Sequence, residues 1–119
     1  MKTMVKTLGL LSDETRLRIL CLLVNGEICV CEVMKALDVT QSTASRGLTA
    51  LYDAGFLILK KEGQWSLYSI NWEGMFSYRS QLVNIIVKEM KDDEVIINDR
   101  NNLKEALSNS PRATSESFK

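Results

Sequence analysis

V-C-E-V-M-K-A-L-D-V-T-Q-S-T-A-S-R-G-L-T-A-L-Y-D-A-G, residues 30–55, contains two short periodic runs with a break between them, and that arrangement decides the fold. Val30, Val33, Met34 and Leu37 recur at i, i+3, i+4 and i+7, the spacing of one helical face, and predict a helix from about Val30 to Asp38. Thr40 is placed to cap a following helix that runs to about Ala54, with Ala44, Gly47, Leu48 and Leu51 turned inward. The opposite face carries Gln41, Ser42, Ser45, Arg46 and Thr49, all polar. Two short helices joined by a turn at Val39 and Thr40, the second polar on its outside, make a helix-turn-helix.

Working outward, Leu57 to Lys61 and Trp65 to Ile70 are strand-like runs joined through Glu62, Gly63 and Gln64, a hairpin signal. A helix-turn-helix followed by a hairpin is a winged helix, so the expected class is mainly α with one β-hairpin. Upstream, Leu8 to Val24 is densely apolar, and Leu17, Leu20, Cys21 and Val24 share one face of a buried helix. Ser12 is its expected N-cap, with Asp13 and Glu14 in the first turn, where the helix dipole favours acids. Asn25 and Gly26 close it.

Downstream, Trp72 to Lys91 reads as another helix, with Phe76, Arg79, Val83, Ile86, Val87 and Met90 on one stripe. That face is wider than a small monomer can cover, and Met4, Val5 and Leu8 add apolar surface near the N-terminus. Together they predict a homodimer with α-helical dimerisation elements at both ends. Residues 1–91 thus form one winged helix-turn-helix and dimerisation domain. Residues 92–107 are expected to add a terminal helix, with Val95 to Leu107 its helical part. Residues 108–119, rich in Ser and charge with one Pro, read as a disordered tail.

Composition removes several function classes. The 119 residues are 45% hydrophobic, enough for one core. The longest apolar run, Ile19 to Val24, is far short of a membrane span, and no signal-peptide pattern opens the chain, so a cytoplasmic location is expected. Histidine is absent, which removes the commonest general base and the commonest zinc ligand. With no glycine-rich phosphate loop and no carboxylate pair placed in a cleft, an enzyme is not expected. Fifteen basic residues balance fifteen acidic ones, so any DNA binding must come from a local surface.

Three cysteines do not make a disulfide framework, but Cys29 and Cys31 are separated by one residue. Such a pair is either two small apolar residues at a helix start or a soft donor set. As donors they favour trivalent arsenic or antimony, cadmium, lead or copper(I) over hard cations. On a regular helix, residues i and i+2 project about 200° apart, so two helical thiols reach one ion only if the first turn unwinds. Cys21, on the buried stripe, is expected to be packing.

I-C-V-C-E-V at 28–33, Q-S-T-A-S-R at 41–46 and A-G-F-L at 54–57 resemble the arsenic-repressor branch of the ArsR/SmtB metalloregulators. D-E-T-R-L-R-I-L at 13–20 and K-K-E-G-Q-W at 60–65 resemble it too. The resemblance covers about residues 8–70. It implies a dimeric repressor that leaves double-stranded operator DNA when a metal or metalloid binds. Met34 stands where many members carry a third cysteine, which leaves any third ligand to Cys21, solvent or a small thiol. Gly47 stands where a histidine is common, which removes one possible DNA contact.

With this resemblance, Cys29 and Cys31 are the expected ligands and As(III) or Sb(III) the expected inducer, with no permanent cofactor. The alternative is a repressor of the same fold that responds to Cd(II) or Pb(II), or to thiol oxidation. Gln41, Ser42, Ser45, Arg46 and Thr49 are the expected DNA contacts. Lys60 and Lys61 join them on the wing, where paired lysines equally serve as solubilising residues.

Overall fold

The computed structural model of the chain describes residues 1–75 and 77–110. In chain order they form α1 (Lys2–Leu11), α2 (Glu14–Leu23), β1 (Ile28–Cys29), α3 (Val30–Leu37), α4 (Gln41–Asp53), β2 (Leu57–Glu62), β3 (Trp65–Ile70), α5 (Ser77–Met90) and α6 (Glu94–Ser108). The three strands are antiparallel in the order β1-β3-β2, with Glu62 opposite Trp65 across a two-residue turn. Gly63 takes a φ of 60° there, a conformation that disfavours a side chain.

The helix-turn-helix follows the expected pattern. α4 is capped by the Thr40 hydroxyl, which accepts from the Thr43 N–H at 3.2 Å, and it buries Ala44, Gly47, Leu48 and Leu51. The side chains of Ala44, Leu48 and Leu51 join Ile19, Leu20 and Leu23 of α2, Val33 of α3, Phe56, Leu57 and Val83 in one core.

Ser12 ends α1, its hydroxyl donating to Gly9 O at 3.0 Å. Three expectations are corrected. Asp13, not Ser12, caps α2 by accepting from the Arg16 N–H at 2.9 Å. Ile28 and Cys29 precede α3 as a short strand paired with Tyr68 and Leu67 of β3. α5 begins at Ser77 rather than at Trp72, because Trp72–Gly74 form a turn in which Asn71 Oδ1 accepts the Gly74 N–H at 3.0 Å.

Phe76 of the expected stripe and residues 111–119 of the expected tail lie outside the described residues. The terminal helix is a full element. Asp93 caps α6 by accepting from the Val95 N–H at 2.9 Å, and the helix packs along α3 and against α2. No helix among the described residues is long and apolar enough to cross a membrane.

Candidate functional site

Cys29 is the last residue of β1 and the N-cap of α3, with extended backbone at φ −91° and ψ 165°. The Glu32 carboxylate, itself buried, accepts the Cys29 N–H at 3.1 Å, while the Glu32 N–H faces the Cys29 sulfur. This reciprocal capping box holds Cys29 outside the helix. The extended residue swings its side chain to the side taken by Cys31 in the first turn, and the two Sγ atoms lie 3.2 Å apart. The expectation that the helix must unwind before both thiols meet is therefore corrected, since its premise was that both residues are helical.

Cys29 is buried and Cys31 partly exposed, so the pair opens to the surface on one side. Burial, reinforced by the hydrogen bond with Cys31, pushes the Cys29 thiol up to about 11. Cys21 is also buried, and burial pushes its thiol up to about 11; the charges acting on it are Asp99, Arg100 and Asp93 around α6. Among the described residues, no group of three or more Cys, Asp or Glu side chains converges where a metal could be held. The donor set that geometry assembles is the two thiols.

On α4, Gln41, Ser42, Arg46 and Thr49 are exposed and Ser45 is half-buried. The Thr40 hydroxyl donates to Thr43 Oγ1 at 3.0 Å, and the Arg46 guanidinium approaches that same oxygen at 3.5 Å. Thr43, which pattern reading passed over, thus steadies the arginine. Arg16 was passed over too. With Asp13, Thr15, Thr43, Arg46 and Gly47 it lines a hollow of about 190 Å³ between α2 and α4, its guanidinium donating to Leu10 O at 3.0 Å and facing Asp13 at 4.0 Å. It was legible only as part of the D-E-T-R motif.

Gly47 faces α2 and not the outside. A Cβ there would lie 2.6 Å from Ile19 Cδ1, so the glycine lets the two helices approach closely. The reading that its lack of a histidine costs a DNA contact is corrected, because position 47 points into the core.

On the wing, Lys60 meets Glu62 at 3.1 Å and Glu27 at 3.8 Å, and those partners hold its ammonium above its ordinary range. Lys61 donates to Ser66 Oγ at 2.9 Å. Both lysines are exposed, but each is engaged by its own hairpin or by the loop before β1. Tyr68 meets Tyr52 edge-on, with ring centroids 6.4 Å apart, tying the root of the wing to α4.

This fold, with a polar-faced second helix of a helix-turn-helix and a wing beside it, is that of the winged helix-turn-helix proteins. A family model described as "Bacterial regulatory protein, arsR family" matches residues 13–58. The chain is 47% identical over 64 residues to the arsenic resistance transcriptional regulator ArsR2 of Pseudomonas putida, covering 53% of this chain and 56% of that one. It is 34% identical over 85 residues to the arsenical resistance operon repressor of Staphylococcus xylosus, covering 71% of this chain and 81% of that one.

Among solved structures it resembles the homodimeric winged helix-turn-helix DNA-binding domain of a possible ArsR-family regulator from Mycobacterium bovis. The TM-score is 0.63 at 25% identity, over 78% of this chain and 82% of that one. The chain belongs to the arsR family of bacterial regulatory proteins. Its match spans little more than half the length of the Pseudomonas putida relative. As a family of regulators, it agrees with the expectation that the chain is not an enzyme.

Proposed function

We propose that this chain is a transcriptional repressor that binds operator DNA as a homodimer and releases it when As(III) or Sb(III) is captured by Cys29 and Cys31. The observation that carries this reading is the 3.2 Å approach of the two sulfurs at the joint between β1 and α3. With sulfur–ion bonds of about 2.3 Å, a right angle at the ion spans about 3.3 Å between sulfurs and a tetrahedral angle about 3.8 Å. Both spans lie within a small side-chain rotation of the observed separation, so the pair can bridge one thiophilic ion. The Pseudomonas putida and Staphylococcus xylosus relatives are named for arsenic and arsenical resistance, which supports a metalloid as the class of inducer.

Capture of arsenous acid is an exchange. Two S–H and two As–O bonds break, two As–S bonds form, and both protons leave in two molecules of water without oxidation or reduction. The third arsenic position keeps its hydroxide or takes a small thiol. Because Cys29 also pairs with Leu67 of β3, a ligand on this pair acts at once on the wing and on the helix that leads into α4. A shift there changes the angle between the wing and the polar face of α4, where Gln41, Ser42, Ser45, Arg46 and Thr49 would meet DNA and Lys60 and Lys61 would flank it.

The test is DNA release. A duplex selected by the protein from a random-sequence pool is titrated with arsenite, antimonite, cadmium, lead, copper(I) and zinc. Arsenite and antimonite should release it at the lowest concentrations. Cys29→Ser and Cys31→Ser should bind DNA and fail to release, while Cys21→Ser responds like the parent. Release led by cadmium or zinc, or blocked by Cys21→Ser alone, would sink the reading.

A further inference from the structure

α3 is only eight residues long, about 12 Å, and its two ends are held by different parts of the molecule. The thiol pair sits at the first end. At the last, Asp38 takes a left-handed conformation with φ 55°, and the N–H groups of Asp38 and Val39 both return to Met34 O. That leaves the carbonyls of Ala36 and Leu37 without helical donors.

Side chains from outside α3 supply the donors. Arg18 of α2 donates Nη2 to Leu37 O at 2.9 Å, and Asn102 of α6 donates Nδ2 to Ala36 O at 3.2 Å. Arg18 is itself fixed by a fork onto Asp99 of α6, Nε to Oδ2 and Nη2 to Oδ1, both at 2.8 Å. Asp99 is 1% exposed and lies 81 residues from its partner along the chain, so this pair forms only when α6 is docked. α4 begins at Gln41, three residues beyond Asp38.

We propose that Arg18, Asp99 and Asn102 are positioning residues for DNA recognition: they fasten α6 to the last turn of α3 and thereby hold α4 in the attitude that fits DNA, without touching DNA. The geometry favours this over plain packing. Apolar contacts between α6 and α3 would hold the helices together without specifying which carbonyls are engaged, whereas a bidentate fork and two carbonyl contacts fix both the register and the rotation of α3. The clamp and the thiol pair act on opposite ends of one rigid helix. A ligand that re-seats the first turn must work against the clamp at the last one, so the clamp stabilises the DNA-bound arrangement relative to the ligand-bound one.

This rests on the proposed function, and reciprocity supplies a test that mere loss of stability does not mimic. Asp99→Asn and Asn102→Ala are made in the full chain. Binding to the selected duplex, binding of arsenite without DNA and thermal unfolding are measured for each. Loss of the clamp should weaken DNA binding roughly three- to thirtyfold and move arsenite affinity the opposite way, toward tighter binding. Asn102→Ala leaves the buried ion pair in place and decides the matter if Asp99→Asn does not fold.

DNA and arsenite affinities that fall together, or that both stay put while only the unfolding temperature drops, would overturn the proposal. If the unmodified chain binds the duplex and arsenite does not release it, the functional reading fails and this inference fails with it. An intact response in the parent with unmoved affinities in both variants overturns the clamp alone.

Discussion

Arg46 stands exposed on α4 with a 3.5 Å contact to the Thr43 hydroxyl, an uncharged partner that leaves the guanidinium's positive charge available to a phosphate or base edge. Arg46→Ala should therefore weaken DNA binding and reduce the slope of log affinity against log salt by about one phosphate's worth. An unchanged slope in a folded variant would place the helix wrongly on DNA. The buried Cys21 offers a second test, in the pH dependence of stability. Its thiol is held at about 11 in the folded chain against an ordinary 9.0, so between those values the unfolded chain gives up a proton that the folded chain keeps. The unfolded state then binds fewer protons, and stability falls as pH rises through that window. Chemical denaturation across it should show a shallower decline in Cys21→Ala than in the parent.

At the scale of the element, the capping box of α3 is the piece on which the thiol geometry depends. Glu32→Ala removes the acceptor for the Cys29 N–H and should cost about 0.5–2 kcal/mol. It should also lower arsenite affinity by freeing Cys29, whereas Glu32→Gln, which keeps an acceptor, recovers most of it. Equal arsenite affinity in the alanine variant would show that the box does not hold the sulfurs. α4 was legible in the sequence because its cap and its inward face are local signals: Thr40 sits beside the run, and Ala44, Gly47, Leu48 and Leu51 keep the helical period. β1 was not, because two residues carry no period and become a strand only by pairing with Leu67 and Tyr68, some forty residues on. The start of α2 was legible to within one residue, because Ser12 and Asp13 stand together as possible caps ahead of Glu14 and only the side-chain contact to the Arg16 N–H selects Asp13. The Arg18–Asp99 fork joins residues whose separation no local pattern reveals.

For the whole molecule, the apolar surface left outside the core defines where a second copy would fit. Val5 is 63% exposed, Leu8 50% and Ile85 59%, on α1 and α5. Leu8→Glu with Ile85→Glu should convert a dimer at micromolar concentration into a monomer in sedimentation. It should also weaken DNA binding far more than either affects folding, because two half-sites would no longer be bound together. A double variant that stays dimeric would put the interface elsewhere. Cys29 and Cys31 lie two residues apart on one chain, so each copy brings both sulfurs without borrowing from its neighbour. That arrangement has a genetic consequence. In a cell carrying one intact gene and one encoding Cys31→Ser, every mixed pair keeps one working sensor out of two. Pairs of two altered copies would hold DNA and fail to release it, so the allele should be dominant, keeping the operator occupied in arsenite even beside the intact gene.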